Sequence, residues 1–404
     1  MSKSLSLLLV AAVILVAHIS AFVTVRQKIG LIQDEVYHYS QIAQFASGNF
    51  EFNPGLMTVP GFHFLISEFV KPFGTVSIDL VRSVVFLINL GSIFIFYLIV
   101  RKLNEKDALI KTLQFSFFPL IFPFFPLIYT DIVSLIMVLL YFYLMIHKRF
   151  FLSAIFSILS IFIRQNNIFW LLFINILMYI RTYGFRLRWN FILVHMKKSW
   201  LFVLGVVILA VFFTFSKGVV VSDYAKSYVR ISFSLLGNFY FLLFVCFFLF
   251  LPLHIANFYS VLKVLSKNKK IWILLVLALV FFLLTFVNDH PFNQATWFLR
   301  NYLLVTITGN IFYKIVFFLV AAYSLFSIGN TKLISHEFKL LYPFTFIYLL
   351  PYWLIEVRYY FIPIVFFLLF KKNKSAWVEL TTIGFYIILS VIFVDGIANW
   401  RFFL

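Results

Sequence analysis

The stretch Ser4–Val25, SLSLLLVAAVILVAHISAFVTV, runs for 22 residues without an Asp, Glu, Lys or Arg. As a helix rising 1.5 Å per residue it reaches about 33 Å, enough to cross roughly 30 Å of hydrocarbon. Lys3 precedes it and Arg26 and Lys28 follow it. The run exceeds a typical signal-peptide core and has no clean small-x-small cleavage site, so we expect a retained anchor, with a cleaved signal as the alternative. Either way, residue 30 begins on the outer side. The same texture continues to the end of the chain: 63% of the 404 residues are hydrophobic and 12% charged, in apolar runs divided by short basic clusters. That excludes a soluble multidomain protein and predicts an all-α, polytopic membrane protein forming one integral domain over 1–404. Hydropathy places about thirteen spans, at 5–25, 80–100, 108–128, 131–147, 151–163, 167–181, 200–215, 236–258, 271–287, 302–328, 340–355, 359–370 and 376–394.

The net charge of +19 comes from basic clusters lying between apolar runs, not from a stripe on a folded surface. That is the mark of positive-inside topology, and no nucleic-acid partner is expected. With the N-terminus cytoplasmic, the inner segments hold 20 of the 33 basic residues. Ten of the fourteen acids fall on the outer side, so an active face that needs carboxylates is the outer one. The single cysteine, Cys246, sits in an apolar run and reads as filler, which rules out an intrachain disulfide or a thiolate metal cluster.

The first outer loop, 26–79, is the longest segment that does not span. Loops of that length tend to be functional. Its part 55–75 is apolar but interrupted by Pro60, Gly61, His63, Glu68, Pro72 and Gly74, and reads as re-entrant or interfacial. Near its start Asp34, Glu35 and His38 form the densest acid/base cluster of the chain, at a water–bilayer boundary. Residues 34–46 suit a short amphipathic helix with Val36, Ile42 and Phe45 on its apolar side. Asp34 would then sit at the N-terminal end, where a carboxylate complements the helix dipole. A plain N-cap is the alternative role for it.

The same residues resemble a known family. Ile32–His38 (IQDEVYH), Gly48-Asn49-Phe50 and Thr58-Val59-Pro60-Gly61 resemble the D-E-x-x-H, G-N-F and T-x-P-G elements in the first luminal loop of the dolichyl-phosphate-glucose-dependent α-1,2-glucosyltransferases. These enzymes add the terminal glucose of the lipid-linked N-glycan precursor. Phe125–Asp131 (FPLIYTD), Phe162–Trp170 (FIRQNNIFW), Glu356–Pro363 (EVRYYFIP) and Trp400–Phe403 (WRFF) are similar to later elements of that family. Two places depart from it. Ser222–Ser227 keeps an acid, Asp223, without a nearby histidine, and Asp289–Trp297 shortens an H-P-F element and lacks its Arg-His pair.

The resemblance implies a GT-C fold with a long first extracytoplasmic loop, and a donor of polyprenyl- or dolichyl-phosphate-glucose. It also implies a lipid-linked oligosaccharide acceptor and an inverting transfer that forms an α-1,2 linkage. The site would face the lumen of the endoplasmic reticulum in a eukaryote, or the outer face of the cytoplasmic membrane in a prokaryote. Such a transfer needs a base for the acceptor hydroxyl and cations for the departing phosphate. We expect Asp34 as the base, with Glu35 beside it and Asp223 as the outside choice. Arg358, then Arg164 and Arg300, are expected on the phosphate, and His38, Gln165, Asn166, His290, Glu356 and Tyr359 complete the expected substrate-binding set. Arg164 and Arg358 could instead be arginines snorkelling from helix ends, and His63 and His290 satisfied interfacial histidines. No cofactor is expected. Asp34 and His38 have the i,i+4 spacing of a metal pair, but no third ligand is evident in the sequence. A different polyprenyl-phosphate sugar or acceptor stays open, as does a non-enzymatic polyprenyl-lipid flippase. A secondary transporter would show repeated halves, which the sequence lacks.

Overall fold

The computed structural model describes residues 3–215 and 236–404, and within them the protein is helical, with isolated bridges but no sheet. They fall into two compact units, each described by itself below. The first covers Met1–Thr112 with Ile121–Val229, the second Leu113–Leu120 with Arg230–Leu404.

Among the described residues, four helices are long and apolar enough to cross a membrane: Leu7–Lys28, Ile78–Leu103, Ile311–Asn330 and Ala376–Ala398. The number rises to six if two bent helix pairs each count as one span. Four apolar helices of 10–17 residues, such as Thr130–Ile146, are shorter than a full crossing. The protein is therefore multi-pass, while helix length alone does not support the expected thirteen spans.

The expected continuous runs break where the backbone chemistry requires it. Residues 108–128 give the helix Ala108–Ser116 and then a 3₁₀ turn at Phe122–Phe124, because Pro119, Pro123 and Pro126 cannot continue an α-helical ladder. Residues 236–258 bend by 101° between Gly237–Leu249 and Leu251–Lys267, with Pro252 just inside the second helix. Residues 302–328 divide at Gly309-Asn310, where the Asn310 side chain accepts from Phe312 N at 2.8 Å and starts a new helix. Residues 340–355 stop at Leu349, two residues before Pro351.

In the first unit we number α1 (Lys3–Lys28), α2 (Glu35–Ala46), α3 (Gly61–Val70), α4 (Ile78–Leu103), α5 (Ala108–Ser116, which belongs to the second unit from Leu113 on), α6 (Thr130–Ile146), α7 (Phe150–Ile163) and α8 (Asn167–Tyr183). The expected short helix in the first loop is α2, within one residue of its expected start. It ends before Gly48, which adopts a left-handed φ of +85° and whose N–H returns to Phe45 O at 3.0 Å, a helix-ending turn that favours glycine. The segment 55–75, expected to be re-entrant or interfacial, holds α3. Ten residues rise only about 15 Å, half of what a crossing needs. One buried cluster ties the loop down: Ile42 of α2 and Phe62, Ile66 and Val70 of α3 pack with Val81 and Val85 of α4, Ile128, Val133 of α6 and Ile163 of α7. Val36, expected on the apolar side of α2, is exposed instead, and the buried face there carries Glu35, His38 and Gln41.

Candidate active site

The first unit gathers its polar groups at the start of α2. Asp34 occupies the N-cap position of α2 and is half-buried, but its side chain does not cap the helix. Glu35, one residue on, is fully buried, with both oxygens engaged. Arg82 of α4 meets it as a fork, Nε to Oε1 at 3.1 Å and Nη2 to Oε2 at 2.5 Å. Ile128 N and Ile32 N also donate to it, at 2.7 and 3.0 Å. The same guanidinium donates to the carbonyls of Ile29 at 2.9 Å and Gly30 at 2.5 Å. A carboxylate held by two backbone N–H groups and a bidentate arginine is an anchor for the end of α1, the start of α2 and residue 128. That geometry sets Glu35 apart from Asp34, which sequence reading had placed beside it as a catalytic partner. Arg82 was missed, although a lone arginine inside the apolar run 80–100 is the sort of group that stays at membrane depth only with partners.

His38, one turn beyond Asp34, is buried and points its Nδ1 at Nε2 of His63 on α3, 2.9 Å away. Burial, and then the charge of His38, hold His63 well below the usual histidine range. The His38 ring also meets Tyr129 edge-on at 5.7 Å. Two residues further, buried Asp131 at the start of α6 forms an ion pair with Arg164, the residue that closes α7. Gln165 braces the first loop: its Oε1 accepts from Val59 N at 3.3 Å and its Nε2 donates to Met57 O at 3.1 Å. Gly61 is needed here, since a Cβ on it would lie 2.3 Å from the Phe162 carbonyl oxygen. Asn166 is half-buried at the N-cap position of α8, and Asn167 bridges Ser134 and Ser160. The loop motif 57–61 and the motif 162–167 are therefore one contact.

In the second unit the centre is Glu356, buried to 1% exposure. Its Oε2 receives Arg300 Nη2 at 2.8 Å and Arg358 Nη2 at 3.2 Å, so two guanidiniums share one carboxylate. Arg300 also lies over the Phe298 ring, 4.4 Å from its centroid, and donates to Leu404 O at 2.5 Å. Tyr359 stacks on Tyr352 at 4.1 Å. Buried His290 accepts from Phe292 N at 3.1 Å and packs against Trp353 at 4.6 Å. Three asparagines that sequence reading passed over hold this centre. Asn238 accepts from Glu356 N and Tyr360 OH, Asn293 pairs with the backbone of Ile355, and Asn301 accepts from Asn293. For Asn238 the signal was available: an amide inside an apolar run is costly unless it is bonded. Leu299 N donates to Phe403 O at 2.7 Å, which brings the WRFF stretch to the same place. Asp223 lies outside the described residues.

Together these features define a multi-pass helical membrane protein in which buried carboxylate–arginine centres order a long first loop with a half-buried aspartate at its first helix. Residues 30–187 match the DIE2/ALG10 family, and the chain resembles that family over this region. An Arabidopsis thaliana protein named Dol-P-Glc:Glc(2)Man(9)GlcNAc(2)-PP-Dol alpha-1,2-glucosyltransferase is 29% identical over 161 residues, 35% of this chain and 32% of that protein. Proteins of the same name from Rattus norvegicus and Homo sapiens are 24% identical over 159 residues, covering 35% of this chain and 34% of each relative. The chain thus covers about a third of the length of the curated relatives it matches. No solved structure matches it. The matched region contains the first-loop motifs and those at 125–131 and 162–170, whereas the Glu356 centre lies beyond it.

Proposed function

We propose that the protein is a glycosyltransferase that moves glucose from a polyprenyl- or dolichyl-phosphate-glucose donor to a lipid-linked oligosaccharide on the non-cytoplasmic face, forming an α-1,2 linkage with inversion. One observation carries this reading: the region matching the glucosyltransferase family is the region in which Glu35, Arg82 and Gln165 hold the first loop around Asp34. Asp34 acts as the base, taking the proton of the acceptor hydroxyl as that oxygen attacks the anomeric carbon. The bond from that carbon to the phosphate oxygen breaks as the new glycosidic bond forms, and polyprenyl phosphate leaves. Within the second unit, Glu356 holds the guanidiniums of Arg358 and Arg300, the kind of group expected to meet phosphate oxygens. Arg164, paired to Asp131, supports the loop. Glu35 is scaffold. The chemistry is written without a metal, because a phosphomonoester leaves with less charge than a nucleotide diphosphate.

The test is transfer of radiolabelled glucose from polyprenyl-phosphate-glucose to a lipid-linked oligosaccharide, in membranes containing this chain or its Asp34→Asn form. Label moving only with the native chain supports the reading. No transfer by native protein that binds the donor refutes it. A second reading, the same donor chemistry on another acceptor, is favoured by the departures at 222–227 and 289–297 and by the end of the family match at residue 187. Donor consumption that does not need the oligosaccharide would select it.

A further inference from the structure

The basic residues just before Ala376–Ala398 take no part in the reaction proposed above, and within the second unit the backbone sets two lysines against each other. Residues 332–334 and 370–372 pair as one antiparallel bridge, Leu333 with Lys371. Lys372 N donates to Lys332 O and Ile334 N to Phe370 O, both at 2.8 Å. In such a pairing Leu333 and Lys371 share one face, while Lys332 and Lys372 share the other, directly opposite each other with their Cα atoms about 5.5 Å apart. Burial follows this alternation: Leu333 and Lys371 are buried, and Lys332 and Lys372 are exposed.

The buried face is matched group for group. Lys371 Nζ and Gln114 Nε2 both donate to Oε2 of buried Glu379 at 2.6 Å, and Lys374 N donates to its Oε1 at 2.9 Å. Lys374 Nζ donates to Asn257 at 3.0 Å, and Asn257 donates to Ser327 and Thr331, so the chain beside both exposed lysines is fixed. The exposed face has no such match. Glu379 is taken by Lys371 and Glu337 accepts from Ser335, and among the described residues no carboxylate forms an ion pair with Lys332 or Lys372. Like charges directly opposite across paired strands are destabilising, and an anion between them removes that cost.

Two further observations give the anion its chemistry. Trp377, 59% exposed at the start of Ala376–Ala398, marks the level of the lipid headgroups, where tryptophan is enriched. In the same unit a cavity of about 460 Å³ is lined by apolar and aromatic side chains, among them Leu251, Ile255, Phe258 and Tyr323. Tyr323 lies about 12 Å along its helix from Thr331, the neighbour of Lys332, and one leaflet's hydrocarbon is roughly 15 Å deep. We propose that Lys332 and Lys372 hold the phosphate of an anionic phospholipid whose acyl chain lies in this groove. The inference stands apart from the glycosyltransfer reading.

The experiment titrates short-chain phosphatidic acid into the full chain in detergent and reads binding by native mass spectrometry. Both lysines are exposed, so their substitution leaves the packed face intact. Affinity should fall about fivefold in Lys332→Gln and in Lys372→Gln, and about 25-fold in the double variant. Lys314→Gln, at the far end of the helix Ile311–Asn330, should bind as the native chain does. Phosphatidylcholine of the same chain length lacks the net charge and inorganic phosphate lacks the chain, so both should bind more weakly than phosphatidic acid. Lys332→Glu places an opposite charge against Lys372. It should raise the thermal midpoint of the lipid-free protein and abolish the further rise that phosphatidic acid gives the native chain. Unchanged binding in the double variant, an equal loss in Lys314→Gln, or phosphatidylcholine binding as tightly as phosphatidic acid would each overturn the proposal. Inorganic phosphate binding as tightly would leave an anion site without a lipid, and a lipid-free midpoint no higher in Lys332→Glu would remove the repulsion on which the site rests.

Discussion

Adjacent residues of one chemical type have separate roles in this protein. Asp34 and Glu35 are both carboxylates at the start of α2, yet Asp34 is half-buried and does not cap its helix, whereas Glu35 is sealed in with Arg82 and two backbone N–H groups. Their substitutions should therefore fail in different assays. Asp34→Asn keeps the shape and removes the basicity, so glucose transfer should fall by roughly 10²–10⁴-fold, the range for loss of a general base, with the unfolding midpoint nearly unchanged. Retention of most activity by Asp34→Asn would move the base elsewhere, with Asp223 the next residue to test. Glu35→Gln strands the Arg82 guanidinium at 1% exposure, and breaking a buried pair from one side costs about 3–5 kcal/mol. Its first readout should be a large drop in the thermal midpoint of the detergent-solubilised protein, and an unchanged midpoint would contradict the anchor role. Sequence alone could not separate the two acids. Side-chain type and position allow either to be the base, and only the partner on α4, some 47 positions away, tells them apart.

Among the elements, α3 shows how a loop motif becomes a packing constraint. Thr58-Val59-Pro60-Gly61 carries the chain into a helix whose first residue lies so close to the end of α7 that a Cβ would meet the Phe162 carbonyl at 2.3 Å. Backbone cannot yield as a flexible side chain would. Gly61→Ala should therefore cost about 1–3 kcal/mol as α3 is pushed away from α7, seen as a lower thermal midpoint. Gln165→Ala should loosen the same junction by removing two hydrogen bonds to Met57 and Val59, raising protease sensitivity within 53–60 while leaving the membrane helices intact. Equal cleavage of Gln165→Ala and native protein would show that the brace has no effect. The helix expected over 34–46 was legible, because amphipathic spacing is a local signal. The breaks at Ser116, Phe250 and Gly309 were smoothed over, because a hydropathy window averages across a proline or a glycine inside an apolar run. The meeting of 57–61 with 162–167 joins residues about a hundred positions apart, and no local pattern reports that.

At the scale of the whole molecule, apolar composition settled the membrane class. Hydropathy could not settle the number of crossings, because several apolar helices are shorter than a bilayer and others bend. The parity of the crossings is nonetheless open to measurement. An even number puts the two ends of the chain on the same side, an odd number on opposite sides. The final helix Ala376–Ala398 has 23 residues, about 35 Å, long enough for one crossing. Lys371, Lys372 and Lys374 lie just before it, and such a cluster beside a span is expected on the cytoplasmic side. Asn399 should then lie outside, opposite the basic segment 181–198. Cys246 is buried and gives a quiet background, so one reactive cysteine can be added by Asn399→Cys or by Lys198→Cys, both at exposed positions. An impermeant thiol reagent applied to sealed, right-side-out vesicles should label Asn399→Cys at once and Lys198→Cys only after the membrane is opened. Labelling of Lys198→Cys from outside would invert the first unit and move Asp34 away from the face where a lumenal or periplasmic sugar donor is presented. Protection of Asn399→Cys would place the last helix the other way round, and its three lysines would then be an exception to the charge rule.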